Sequence, residues 1–524
     1  MKLPAFLVLC LTLSPFTCWS QDYSALQEAS QSIEKGDFVK AEAILRRFLQ
    51  QNDPDASAYF LLGVTLGGLD RREESDQYLR RTLDLDQNLT SALRYLGINA
   101  FHRGDLGEAE TYLKQSLEKI PGDGVAHLFL AQIAFSRNDF LEALKHFHQS
   151  PELVASDPRL QVLLSHTLLG AHEIEEGKKT LLAIRSSDSS VLFEVGLLLA
   201  QVGLYTEAIQ KFLIAQPDYP DATALSFNLA LTYFRMGELA AAISLLEEIA
   251  REEQTDADVF NLLGDAYRQV GRVREAYDAL HKAVFLAPED TGHYSDLLGL
   301  CLQLEAVETG LKIANLALRQ HPNSYELYSQ RAMLHLIKNQ YRAAEMDFRK
   351  ALEWSPENER LYWGLALVLM LDNRPEEART FLENHQKEFT SYLSYYLYAD
   401  VLIRLGLDRP GSLQTKIQKI LEKSVQLNPN FAAGRANLGR LYATQQDWPR
   451  AIAELQAAIG FDPDHRAAYY QLSQIYLRTG EREKAQEMLA IVRKLNEQEA
   501  GRKPREQETI IQALQTGLRN SNRE

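Results

Sequence analysis

Cysteine is scarce in this chain, with three in 524 residues. That excludes a disulfide-stapled scaffold and a multi-cysteine zinc or iron–sulfur site. Positive charge is short as well: 56 Lys and Arg stand against 71 Asp and Glu, a formal net charge of -15. A nucleic-acid binder needs a basic surface to neutralise phosphates, so that class is not expected. Electrostatic attachment to anionic lipid is disfavoured for the same reason. What the chain does not lack is apolar residues, at 45%, with 24% charged. That balance excludes a largely disordered protein.

Catalytic signatures are also missing. His172-Glu173-Ile174-Glu175-Glu176 imitates the start of a zinc-protease helix, but Glu176 stands where the second His is needed. Gly177-Lys178-Lys179-Thr180 imitates a phosphate loop without the earlier glycine. His146 and His148, two apart on a helix, point to different sides and do not share a metal easily. Neither a G-x-S-x-G elbow nor a G-x-G-x-x-G turn occurs. No enzyme activity, cofactor or metal is expected, and Cys301 reads as a small buried hydrophobe.

The one long apolar run, Leu3 to Leu13, follows Lys2 and precedes Pro15 and the small pair Cys18 and Ser20. It reads as a secretory signal peptide, residues 1–20, cut after Ser20. The run is about half the ~20 residues that a membrane-spanning helix requires, so no direct membrane span is expected. A lipid anchor on Cys18 is disfavoured, because Pro15, Phe16 and Thr17 do not make the small-residue approach of bacterial lipoproteins. Export of the remainder leaves Cys301 as the single thiol. Asn88-Leu89-Thr90 is a glycosylation sequon, of consequence only in a eukaryotic host.

The rest is one repeat. A small residue recurs at Ala29, Gly63, Gly97, Ala131, Ser165, Gly196, Ala230, Gly264, Gly299, Ala332, Ala366, Ala399, Gly439 and Ser473. Most gaps are 34 residues; one, from Ser165 to Gly196, is three short, and one, from Ala399 to Gly439, is six long. Seven residues after it, Gly or Asn is common, as at Gly104, Gly237, Gly271 and Asn373. Twelve after it comes a second small residue, as at Ala109, Ala276 and Ala378, and Pro often closes the unit. Apolar spacings of three and four make each unit two amphipathic helices. The Gly or Asn suits the left-handed turn between them, and Pro stops the second helix. Length alone suggests three or four domains, but such units bury their faces only by stacking, so the repeat overrules that count. The short gap is placed between helices around Arg185 to Ser190, and the long one in a loop near Leu407 to Gln414, containing Asp408-Arg409-Pro410-Gly411.

The unit Phe260, Leu263, Gly264, Tyr267, Gly271, Ala276, Leu280, Ala283, Pro288 resembles the tetratricopeptide repeat. About fourteen such units cover nearly the whole chain. The resemblance implies an all-α, right-handed superhelical solenoid of stacked antiparallel helix pairs over residues 22–500. Residues 503–520, with Ile510, Ile511, Leu514 and Leu518, read as a C-terminal capping helix.

The resemblance also implies a binding surface on the first helix of each pair. With the small residue counted as eighth, the inner positions include 2, 5, 9, 12 and 13. Members that grip chaperone tails carry Lys at position 5 and Asn at position 9, and no such pair occurs here. The candidate groove is Phe60, Val64, Phe193, Leu197, Phe227, Leu231 and Phe234, with Leu128, Phe101 and Phe135 in similar slots. Around Asp265, Arg268, Gln269 and Asp296 the slots turn polar. The expected function is an exported scaffold that binds a protein or peptide in this groove. The alternative is an envelope-associated export or polysaccharide-assembly factor.

Overall fold

The computed structural model describes residues 23–252, 255–406 and 411–499. The expected signal peptide at 1–20 with Cys18, positions 407–410 of the insertion and the expected capping helix at 503–520 lie outside the described residues. Among the described residues the regular elements are helices, from Tyr23–Glu34 to Arg482–Glu499, with one 3-10 turn at Gln386–Glu388. The chain divides into two compact units between Glu238 and Leu239. In the first, six helix hairpins follow one another and helix Ala222–Met236 closes the series. In the second, helix Leu239–Ile249 precedes seven hairpins.

One hairpin shows how the sequence makes the unit. Asp256 caps the first helix, Ala257–Gln269, by accepting from the backbone N–H of Asp258. Gly271 then takes φ 79°, and the Arg272 N–H returns 2.9 Å to the Tyr267 carbonyl, closing the helix end. The second helix, Val273–Leu286, folds back on the first. A Cβ on Gly264 would sit 2.6 Å from Leu280 Cγ. The same close approach joins Gly97 to Leu113, at 2.7 Å, and Gly439 to Leu455, at 2.7 Å. The small eighth residue is therefore room for a large residue sixteen positions later, and neighbouring hairpins bury what remains. In the second unit a single apolar cluster runs from Tyr294 to Ala485.

The left-handed residue is the more faithful ruler of the repeat. It falls at Gly36, Asp70, Gly104, Asn138, His172, Gly203, Gly237, Gly271, Glu305, Asn339, Asn373, Gly406, Gln446 and Gly480. This register corrects one assignment. Glu305, at φ 52°, lies seven residues after Leu298, so Leu298 and not Gly299 occupies the eighth position of its repeat. A Cβ on Gly299 would meet nothing within 4 Å. Leu298 fits because the residue sixteen later is Ala314, and both are fully buried. Large and small have exchanged helices.

Two irregularities differ from the sequence reading. The three missing residues come out of a helix rather than a connection: Ile174–Ala183 has 10 residues against 14 in Val273–Leu286. The six extra residues are shared, because the second helix of that repeat, Ser412–Leu427, has itself grown to 16 residues. A third has no counterpart in the repeat spacing. Helix Phe140–Phe147 stops after 8 residues and a short helix, Pro151–Ser156, follows. A proline in a helix clashes with the carbonyl four residues back, which here is that of Phe147. Ser150 covers the break by donating its hydroxyl to the Gly124 carbonyl at 2.7 Å.

Candidate binding surface

The seven groove residues all lie on first helices of the 23–238 unit, and they divide by burial. Phe60 and Val64 are 6% and 4% exposed. Phe60 meets the Tyr95 ring edge-on at 5.6 Å, so these two pack within the stack and offer little surface. Leu128 is fully buried too. Phe193 and Leu197 on helix Ser189–Gln201, and Phe227, Leu231 and Phe234 on helix Ala222–Met236, are half-buried. Phe193 stacks on Tyr219 with ring centroids 4.4 Å apart and also contacts Phe212. Phe101 and Phe135 are likewise half-buried, one edge-on to Phe129 at 5.2 Å and the other to His166 at 5.1 Å. Of the seven groove residues, the accessible ones thus lie on two successive first helices.

On helices Ala257–Gln269 and Thr291–Gln303 of the 239–499 unit the corresponding slots are polar. Asn261 Nδ2 donates to Asp296 Oδ2 at 2.8 Å, Arg268 pairs with Asp265, and Arg268 Nη1 donates to Gln303 at 3.4 Å. Burial pushes the Asp296 carboxyl up, and the Asn261 hydrogen bond opposes it. Asn261 Oδ1 is buried with no hydrogen-bond partner. The corrected register moves Asp296 from position 5 to position 6, leaving Ser295 at position 5 and Gly299 at position 9.

The sequence mimics of catalysis take structural places. Gly177 lies in helix Ile174–Ala183, where a Cβ would meet Leu169 at 2.8 Å. Lys178 and Lys179 pair with Glu175 and Glu176 on the same helix, at 3.0 and 3.3 Å. His146 faces His127 rather than His148. Cys301 is 2% exposed and burial pushes its thiol up to about 11.

Family models described as tetratricopeptide repeat match residues 100–166, 335–399 and 444–502, residues 194–259 and 227–291, and residues 56–89. The chain belongs to the tetratricopeptide repeat family. Human protein O-mannosyl-transferase TMTC1 is 25% identical over 195 residues, covering 36% of this chain and 22% of its own length. Human TMTC3 is 24% identical over 334 residues, covering 58% of this chain and 35% of its own. This tetratricopeptide repeat chain thus spans about a third or less of these two relatives. Yeast Tom70 is similar in solved structure at 18% identity, covering 89% of this chain and 96% of its own, with a TM-score of 0.39.

A tetratricopeptide repeat stack is a protein-interaction scaffold, because its small per-repeat rotation builds extended surfaces from first helices. No helix among the described residues is long and apolar enough to cross a membrane. Sequence reasoning missed one group on the tetratricopeptide frame. Asp258, Asp290 and His293 bring one ligand atom each to within 4.8 Å of one another. Asp258 lies on the first helix of one repeat and Asp290 and His293 at the start of the next, so linear spacing gave no familiar motif.

Proposed function

We propose that this protein is an exported tetratricopeptide repeat scaffold that binds a protein or peptide along its first helices and performs no catalysis. The observation that carries the proposal is the half-buried apolar run of Phe193, Leu197, Phe227, Leu231 and Phe234 on two successive first helices. Such a run suits the apolar side of an amphipathic helix or an extended hydrophobic segment. The position-12 aromatic Phe234 extends it toward the helix end. Export rests on the charged, apolar and small-residue order of residues 1–20.

The glycan-associated alternative draws on the alignment with human O-mannosyl-transferases. Under that reading the repeats position a glycan-handling partner, and the chemistry belongs to the partner.

The test is capture of partners by the chain beginning at Gln21, compared with the same chain carrying Phe193→Ser and Phe227→Ser. The scaffold reading expects partners lost from the variant while its helical circular dichroism is unchanged. Retention of every partner by a folded variant removes this surface from consideration. Sequencing the amino terminus of the exported protein checks the cleavage after Ser20.

A further inference from the structure

The geometry points to a binding site for one divalent transition cation, of the Zn2+ class, between two successive repeats of the 239–499 unit, with Asp258, Asp290 and His293 as its ligands. The His293 side chain is 5% exposed, yet its Nε2 stops 3.6 Å from Asp258 Oδ1 and 3.9 Å from Asp290 Oδ2. A hydrogen-bonded imidazole would draw a carboxylate in to about 2.7–3.2 Å. Ligands held about 2.0–2.2 Å from a tetrahedral Zn2+ stand roughly 3.3–3.6 Å from one another. The two imidazole–carboxylate spacings are thus too long for hydrogen bonds and at or a little above those of shared ligation, with all three ligand atoms within 4.8 Å of one another.

The carboxylates alone do not carry this inference. Both lie at helix starts, where the helix dipole favours negative charge whether or not a cation binds. Asp290 Oδ1 has that task, accepting from the Gly292 N–H at 2.7 Å. Its other oxygen, Oδ2, is the one turned to His293. Capping and dipoles do not account for a buried imidazole whose Nε2 is aimed between two carboxylates and bonded to neither. The surrounding cleft adds Asp256 and Glu289, and among the described residues no Lys or Arg lines it. Four carboxylates and an imidazole without a lining cation are what a bound metal ion would compensate.

Donor chemistry narrows the ion. Ca2+ and Mg2+ prefer oxygen ligands throughout, whereas one imidazole nitrogen with carboxylate oxygens suits Zn2+ and its neighbours in the transition series. The Asp258 and Asp290 side chains are 66% and 51% exposed, which leaves a face open for water as the fourth ligand. Asp258 belongs to helix Ala257–Gln269, and His293 to helix Thr291–Gln303. A shared ion would staple the first helices of adjacent repeats at their amino ends.

The experiment is calorimetric titration of the chelator-treated full chain with Zn2+ at neutral pH, beside Asp258→Asn, Asp290→Asn and His293→Gln. Asparagine at 290 retains the helix cap, and Asp258 is exposed, so those two variants keep the fold. The expected result is one Zn2+ equivalent in the wild type that each variant weakens at least about tenfold. Zn2+ should also raise the midpoint of thermal unfolding of the wild type and not that of Asp258→Asn, by mass action on the folded state. A His146→Gln control, which alters the separate histidine pair, should keep the equivalent. Identical stoichiometry and affinity in wild type and Asp258→Asn overturns the site, as does a Zn2+ equivalent that disappears only with His146.

Discussion

The imidazoles of His127 and His146 face each other Nδ1 to Nδ1 at 2.9 Å. The Nε2 of His127 lies 2.9 Å from the Pro121 carbonyl, which only accepts, so that nitrogen carries the proton. Neutral His127 therefore accepts at Nδ1, and His146 donates there. The remaining nitrogen of His146 lies 3.3 Å from Glu142 Oε1. A proton added to His146 charges a buried ring, with Glu142 alone in its favour.

Acidification should accordingly loosen this hairpin. Burial lowers the pKa of His146, helped by charge on His127, Lys145 and Lys114 and opposed by Glu142. A native pKa below the unfolded value means that the folded state binds fewer protons. The stabilisation is complete above the ordinary value of 6.5 and is lost as the pH falls below it. Hydrogen exchange across 124–147 should quicken as the pH is lowered from neutral through that value in the wild type, once the intrinsic pH dependence of exchange is divided out. His146→Gln should flatten that response, and an equally steep profile in the variant counts against it.

Gly264 and Gly299 should respond oppositely to added volume. Gly264→Leu drives a side chain into Leu280, whose Cγ lies 2.6 Å from the place a Cβ would take, and should cost about 1–3 kcal/mol or more. Gly299→Ala enters open space inside a helix and should stabilise by about 0.5–1 kcal/mol. Denaturant titrations of the two variants check both signs. The damage at Gly264 should stay near its own repeat, because units contact only their neighbours.

Leu298 and Ala314 should show strong coupling. Leu298→Ala alone opens a cavity, at about 2–5 kcal/mol. Ala314→Leu alone overfills the same layer, at about 1–3 kcal/mol. Made together they restore the arrangement of Gly264 with Leu280, and a double-mutant cycle should give an interaction of about 0.5–3 kcal/mol. Simple additivity would show that the two do not share a layer.

Cys301 should be silent toward alkylating reagents in the folded protein. Its thiol is 2% exposed and pushed up to about 11, so little thiolate exists under mildly alkaline labelling conditions. Peptide mapping after iodoacetamide should find it unmodified under native conditions and modified in denaturant. Rapid native labelling would mean that helix Thr291–Gln303 opens readily.

Fourteen small residues at near-constant spacing make the helix pairs legible, because close packing leaves its mark at one position per repeat. The same signal misleads at Gly299, where a nearby glycine draws the register away from Leu298. Only the partner's size, Ala314, resolves the choice, and that pairing is made in space. Pro151 comes 20 residues after Ala131, four before the place where Pro121 and Pro288 close their repeats, and the small-residue ladder runs past it unbroken although it splits a helix. Of the groove residues, helix position distinguishes Phe193 and Phe227 no better than Phe60, since burial depends on the neighbouring repeat. The Asp258–His293 approach joins different repeats and is short only once they stack.

The exchange of sizes between Leu298 and Ala314 bears on how such a chain can be rebuilt. Most hairpins here share one lock, a small residue in the first helix and a large one in the second. The hairpin of Leu298 carries the inverse key. A genetic crossover or an engineered splice that joined its first helix to the second helix of another repeat would set leucine against leucine. The reciprocal product would leave glycine or alanine facing alanine. This hairpin is therefore transferable only whole, with its junctions in the connections between repeats and never in the turn at Glu305.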